Sequence, residues 1–312
     1  MTNQPFLQEV ENDSGLNNLK STQDWLKENK IFIELKLEEH GAIIFKDLPV
    51  KTAEDFDQFV STFNYDTFTY EESLSNAVRI NKTDKVFTAN EAPREVEIFL
   101  HHEMAQTPTY PKNIFFFCKS ASETGGETPL CRSDQLYEAL LKADKALVES
   151  FEKFGVIYNS IMSSGDELIS GQGRSWQKTL GVSSKNDAEE KLSKLGYSWN
   201  WIEDDNLSVT TKTLQATKEL GNGQKSFFNQ VIAASLGWKK NSENQIAPVR
   251  FGNGEEIKES YIELISELAQ SLTLLRSWQD RDILLIDNYR VMHGRKPFSG
   301  NKNREVLVSL TN

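Results

Sequence analysis

Three of the four histidines of this chain fall in two short segments. His101 and His102 stand in Leu100-His101-His102-Glu103-Met104, and His293 in Asp287-Asn288-Tyr289-Arg290-Val291-Met292-His293-Gly294-Arg295. Residues two apart on an extended strand face the same way, so His101 and Glu103 can reach one ion while His102 turns away. The third ligand must come from far along the chain, as when two antiparallel strands face each other, and His293 is the candidate. Two imidazoles and a carboxylate on one face of a metal, with the other face open, suit a ferrous oxygenase centre. A hydrolytic zinc uses the same donors, so the ligands alone leave the metal undecided. His40, the remaining histidine, precedes Gly41 at the start of an apolar run, a position suited to a capping or surface role.

A co-substrate signal would separate iron from zinc. Arg304 lies eleven residues beyond His293, at the start of an apolar C-terminal run. Its planar guanidinium could hold the far end of a dicarboxylate through two parallel hydrogen bonds. Thr128, just after Gly125-Gly126, could add a hydroxyl bond to the same group. Asn229, Arg290 and Arg295 are polar residues in segments expected near a cavity, and they are candidate substrate contacts.

The elements that must position these residues are read from apolar spacing. Residues 16–29 and 52–63 have helical periodicity, with Thr52 as an N-cap and Glu54 and Asp55 in the first turn. Gly41-Ala42-Ile43-Ile44-Phe45, Ile114-Phe115-Phe116-Phe117-Cys118, Ile283-Leu284-Leu285-Ile286 and Glu305-Val306-Leu307-Val308-Ser309-Leu310 read as strands. A long helix is expected from a capping Ser133, and another over residues 257–274. Residues 163–206 turn polar and read as a lid or helical insertion. Strands dominate both ends, with helices on the flanks and in the middle. That order predicts an α+β chain with a mainly β core, a jelly roll rather than alternating βαβ units.

Composition agrees with one globular domain over residues 1–312. Hydrophobic residues make up 38% of the chain and phenylalanine contributes 18 residues, enough for a sizeable core. A formal charge of -11 repels polyanions, and no basic stripe is present, so nucleic acid is not an expected partner. The first ten residues lack a basic segment followed by an apolar one, and no apolar run is long enough to span a bilayer. A soluble cytoplasmic protein with no membrane partner is expected. Cys118 and Cys131 are too few and wrongly spaced for a disulfide framework or a zinc site, so both are expected to be reduced thiols.

Several segments together resemble the taurine dioxygenase and clavaminate synthase-like group of Fe(II)/2-oxoglutarate dioxygenases. They are the Gly41 strand, His101-x-Glu103-Met104, Gly125-Gly126-Glu127-Thr128-Pro129-Leu130, Phe227-Phe228-Asn229-Gln230 and Phe251-Gly252-Asn253-Gly254. Trp278-Gln279-x-x-Asp282, Asp287-Asn288, His293-Gly294-Arg295 and the Arg304 strand follow in order, so the likeness spans nearly the whole chain. The resemblance implies a double-stranded β-helix, Fe(II) held by His101, Glu103 and His293, and 2-oxoglutarate chelating that iron. Arg304 and Thr128 would bind the distal carboxylate, and O₂ would be the oxidant. The same resemblance implies oxidative decarboxylation to succinate and CO₂ coupled to hydroxylation of a C–H bond. Related halogenases lack the ligating carboxylate, so Glu103 points to oxygen rather than halogen transfer.

One departure is informative. Taurine-specific enzymes would carry a second arginine four residues after Arg304, and Val308 stands there. The pattern is closer to the branch that acts on amino acids or amino-acid-derived intermediates, free or tethered to a carrier. Desaturation is the alternative outcome at the same site. A zinc hydrolase and a noncatalytic cupin-like binding module are the alternatives from other classes, and the sequence carries no signal for oligomeric state.

Overall fold

The computed structural model describes residues 6–69, 74–75, 77–166, 173–221, 223–238 and 246–312. A run that is apolar at every position is stable as a strand only with both faces buried. Ile114-Phe115-Phe116-Phe117-Cys118 is such a run, and it forms the middle of the Asn113–Ser120 strand. The sheet around it has six strands, in the order Leu7–Val10, Ala42–Phe45, Ile283–Asp287, Asn113–Ser120, Glu305–Thr311 and Phe87–Thr88. Only the first pair is parallel.

Alternate residues of these strands go to opposite faces. Ile43, Phe45, Phe115, Phe117 and Leu285 pack beneath the helices Leu19–His40 and Ala53–Ser61. Ala42, Ile44, Phe116, Leu284 and Val308 point the other way, where they meet Leu130 and Val291 of a second sheet. That sheet is antiparallel throughout, in the order Thr273–Arg276, Thr128–Arg132, Val291–Arg295 and Ile98–His101. On its outer face Cys131 and Met292 pack against the helices Ser133–Ala143, Lys145–Phe154 and Glu259–Ser271. Two facing sheets with helices on both outer surfaces form a double-stranded β-helix in an α+β chain.

Within residues 163–206 lie the helices Trp176–Leu180 and Lys185–Leu195 and the strand Ser198–Trp201, while residues 167–172 fall outside the described residues. Trp176, Leu180, Leu192, Leu207 and Leu74 build a small core of their own. Among the described residues, no helix is long and apolar enough to cross a membrane.

Three helices differ from their expected bounds. The first starts at Leu19, capped by Asn18, and runs on to His40. Residues 31–37, Ile-Phe-Ile-Glu-Leu-Lys-Leu, alternate like a strand, yet Leu26, Ile33 and Leu37 at helical spacing are the ones buried. Ile31, Phe32 and Leu35 stay exposed as a result. His40 is therefore a buried last-turn residue rather than a surface one, and Gly41 caps the helix in the left-handed region. The helix from Ser133 breaks at Asp144, whose carboxylate accepts from the Leu147 N–H and starts a second helix. Ser133 does not cap; its hydroxyl donates to the Arg290 carbonyl. The last helix is Glu259–Ser271, because Thr273–Arg276 is drawn into the second sheet beside Thr128–Arg132.

Candidate active site

His101 ends the Ile98–His101 strand, His293 lies in Val291–Arg295, and the two are cross-strand Cα partners. His293 shares the inward parity of Val291, so both imidazoles project between the sheets. Glu103 arrives differently from the expectation. The strand stops at His101, and the chain turns through Glu103 and Met104, the latter at φ 59°. Shared strand parity therefore does not place the carboxylate.

Asn288 holds that turn. Its side-chain oxygen accepts from the Glu103 N–H at 2.7 Å, and its amide donates to the carbonyls of Glu103 at 3.1 Å and Pro111 at 2.8 Å. Its own carbonyl accepts the Nδ1–H of His102, which turns this fully buried ring away from the cluster and against Phe228. Gln230 completes the clamp by donating to the His102 carbonyl at 2.9 Å.

Three donor atoms converge. Glu103 Oε2 lies 3.5 Å from His293 Nε2 and 4.0 Å from His101 Nε2, and one atom from each residue falls within 4.8 Å of the others. Neighbouring donors about 2.0–2.2 Å from one octahedral ion sit about 3 Å apart, so small side-chain shifts bring the cluster to ligating geometry. His101 donates its Nδ1–H to the Phe99 carbonyl at 2.8 Å, which leaves Nε2 with its lone pair for a metal. Burial, reinforced by His293, pushes the His101 pKa down to about 4, so the ring is neutral as ligation requires. Burial also opposes ionisation of Glu103, but Arg79 and the two imidazoles outweigh it and hold the carboxyl below the usual carboxylate range. Arg79 Nη2 lies 2.8 Å from Glu103 Oε1, and both side chains are buried.

A cavity of about 60 Å³ joins the triad to Thr128, Arg295 and Arg304. Arg304 Nε is buried without a hydrogen-bond partner, while its Nη2 reaches the Gly126 carbonyl at 3.3 Å. Gly126 is at φ +75°, and a Cβ there would sit 3.0 Å from Arg304 Nε, so glycine lets the turn pass the guanidinium. Thr128 Oγ1 accepts from Trp278 Nε1 at 2.9 Å, which leaves its own hydroxyl hydrogen to donate. An orphaned guanidinium N–H and a spare hydroxyl in one buried pocket fit a carboxylate. A second, larger cavity of about 100 Å³ also reaches His101 and Glu103, and its polar lining includes Arg79, Asn90, Gln106 and Gln230.

The three candidate substrate contacts are placed elsewhere or otherwise engaged. Asn229 donates to the Ala216 carbonyl and accepts from the Val231 N–H, and it lines neither cavity. Arg290 pairs with Asp287 and Glu38 and faces a separate cleft. Arg295 borders the smaller cavity, but its guanidinium donates to the carbonyls of Ala92, Pro93 and Val96 and so pins the 90–96 segment. Sequence reasoning missed Arg79 and assigned no role to Asn288 and Trp278. Asn288 and Trp278 stand in segments already matched to the family, which is a signal; Arg79 stands in none.

The comparisons agree with this architecture. The profile of the family "Taurine catabolism dioxygenase TauD, TfdA family" matches residues 7–310. The clavaminate synthase-like protein of Arabidopsis thaliana is 33% identical over 286 residues, 91% of this chain and 86% of that protein. The dapdiamide synthesis protein DdaC of Enterobacter agglomerans is 27% identical over 88% of this chain and 83% of its own length. Among solved structures, PvcB of Pseudomonas aeruginosa, an Fe, alpha-ketoglutarate dependent oxygenase from an isonitrile synthetic pathway, shares the fold. Its TM-score is 0.53 at 13% identity, over 99% of this chain and 88% of that one. A family match over nearly the whole length, with a relative one-third identical across nine-tenths of it, places the chain in the TauD/TfdA family, as a non-haem iron, 2-oxoglutarate-dependent dioxygenase.

Proposed function

We propose that His101, Glu103 and His293 hold the ferrous ion and that Arg304 and Thr128 bind the distal carboxylate of 2-oxoglutarate. The enzyme then hydroxylates an unactivated C–H bond of an amino acid or amino-acid-derived small molecule, with release of succinate and CO₂. One observation carries the reading: two cavities meet at the triad, and one of them contains a buried, unpartnered arginine N–H. When bound, iron and 2-oxoglutarate supply the oxidising power that breaks the C–H bond. The chain's own residues orient both molecules and keep water out.

The co-substrate end is electrostatic. Arg304 provides charge and a planar fork, Thr128 provides a hydroxyl fixed by Trp278, and Gly126 leaves room for the guanidinium. The substrate end is the larger cavity, where Gln106 Oε1 is buried without a partner and suits a substrate N–H. That acceptor favours an amine- or amide-bearing substrate. Val308, in the place of a sulfonate-binding arginine, disfavours taurine. DdaC, a relative named for dapdiamide synthesis, supports a small-molecule pathway of the same kind.

The described residues of the 163–206 stretch form the cover in this reading. Arg174 donates to the Ser75 carbonyl at 3.4 Å, Leu74 belongs to the insertion's core, and Ser75 lines the larger cavity. The insertion thus bears on the cavity wall through residues 74–75. A screen of amino acids and their amides for stimulated succinate formation tests the substrate class. One of them should raise succinate release well above the rate without substrate. Stimulation by sulfonates or fatty acids, with none by amino acids or their derivatives, would reject the class.

A further inference from the structure

A ligating carboxylate can turn one oxygen or both towards a metal. In this site the two oxygens are divided. Oε2 faces Nε2 of His293 and His101, at 3.5 and 4.0 Å, while Oε1 accepts a hydrogen bond from Arg79 Nη2 at 2.8 Å. The side chains of Arg79 and Glu103 are 6% and 5% exposed, so the pairing lies where charge-assisted hydrogen bonds are strongest. Arg79 is also the one arginine or lysine among the described residues lining the larger cavity, so no second cation there competes for Oε1.

We propose that Arg79 is a positioning residue that keeps Glu103 a one-oxygen ligand. The inference rests on the triad being the metal site. An octahedral ion with three protein donors keeps three exchangeable positions, enough for a two-point co-substrate and one more small ligand. A glutamate that chelated with both oxygens would leave two. Arg79 touches neither substrate in this role; it acts by occupying Oε1. It also makes the ligand geometry depend on the 77–91 segment, which carries Arg79 and lies outside both histidine strands.

The test is the infrared difference spectrum of the wild-type protein on adding Mn(II), with Glu103→Gln used to assign the bands. A one-oxygen carboxylate ligand separates its antisymmetric and symmetric stretches widely, and a chelating one narrowly. The expected result is a wide separation in the wild type. In Arg79→Met it should narrow while Mn(II) still binds, and 2-oxoglutarate should bind the Mn(II) protein about tenfold or more weakly. Arg79→Lys should restore much of both. A narrow separation in the wild type overturns the proposal, whether or not the Met variant folds. So does a wide separation in both proteins with equal 2-oxoglutarate affinity. If the wild type binds no Mn(II), the metal-site reading falls with it; if it binds Mn(II) with a narrow separation, only the role of Arg79 falls.

Discussion

His101 and His293 are direct partners across two antiparallel strands, with ring centroids 4.4 Å apart. The pairing slips by one residue just beyond them, between His293 and Arg295. The intervening Gly294 makes the close approach: a Cβ there would lie 2.4 Å from the Ile98 carbonyl oxygen. Gly294→Ala should push the strands apart and separate the imidazoles. We expect a loss of roughly 1–3 kcal/mol in stability from the overpacking. Ferrous affinity should fall as well, and thermal unfolding with and without metal measures both. A variant as stable as the wild type, with unchanged metal binding, would show that the approach is not needed.

Asn288 should behave as a structural clamp with a metal phenotype. It donates to two carbonyls and accepts one N–H around Glu103, so neither Ala nor Asp can replace it. Asp lacks the two donors and adds a charge near Glu103. Both variants should lose about 10- to 100-fold in metal affinity, which isothermal titration with Mn(II) reads directly. Wild-type affinity in Asn288→Asp would mean that the turn holds itself.

Under the proposed assignment, Arg304→Ala removes the charged partner of the co-substrate and leaves the metal triad in place. A hydrogen bond to a charged group contributes about 1.5–3 kcal/mol, so the KM for 2-oxoglutarate should rise at least tenfold. Thr128→Val should raise it less, because only the hydroxyl is lost. Trp278→Phe should resemble Thr128→Val, since it frees the rotor that Trp278 Nε1 fixes. An unchanged KM in Arg304→Ala would exclude the assignment.

Cys118 and Cys131 are buried, and burial raises both thiols to about 12. A thiol that holds its proton in the folded state and releases it near 9 when unfolded stabilises the fold fully below pH 9. That contribution is lost as pH climbs towards 12, at about 1.4 kcal/mol per pH unit for each thiol. Stability should therefore fall steeply above pH 9, and less so in Cys118→Ala or Cys131→Ser once their own packing cost is subtracted. Thiol reagents at pH 8 should label neither cysteine until the protein unfolds; rapid labelling of the folded protein would contradict the burial.

Much of this was legible in the sequence where one residue type or one period carries the signal. Ile283-Leu284-Leu285-Ile286 and the phenylalanine strand are apolar at every position, so they had to be central strands. Histidine is rare in this chain, so two His-bearing segments stood out, and Arg304 follows at a fixed remove. What escaped depends on tertiary contact. Residues 31–37 alternate like a strand and fold as a helix because Leu26, Ile33 and Leu37 share a buried face. Glu103 was expected on a strand, but a turn clamped by a residue 185 positions away brings it to the cluster. Arg79 reaches Glu103 across 24 residues without any periodic cue.

The most direct test of the central claim is an anaerobic titration of the apoprotein with Fe(II) and 2-oxoglutarate, followed in the visible range. The wild type should develop the weak charge-transfer band of a ferrous ion chelated by the 2-oxo acid. His101→Ala, Glu103→Ala and His293→Ala should not, and none should release succinate on exposure to O₂. A wild-type band and succinate release in all three variants, or no band in the wild type, would contradict the assignment of the metal centre.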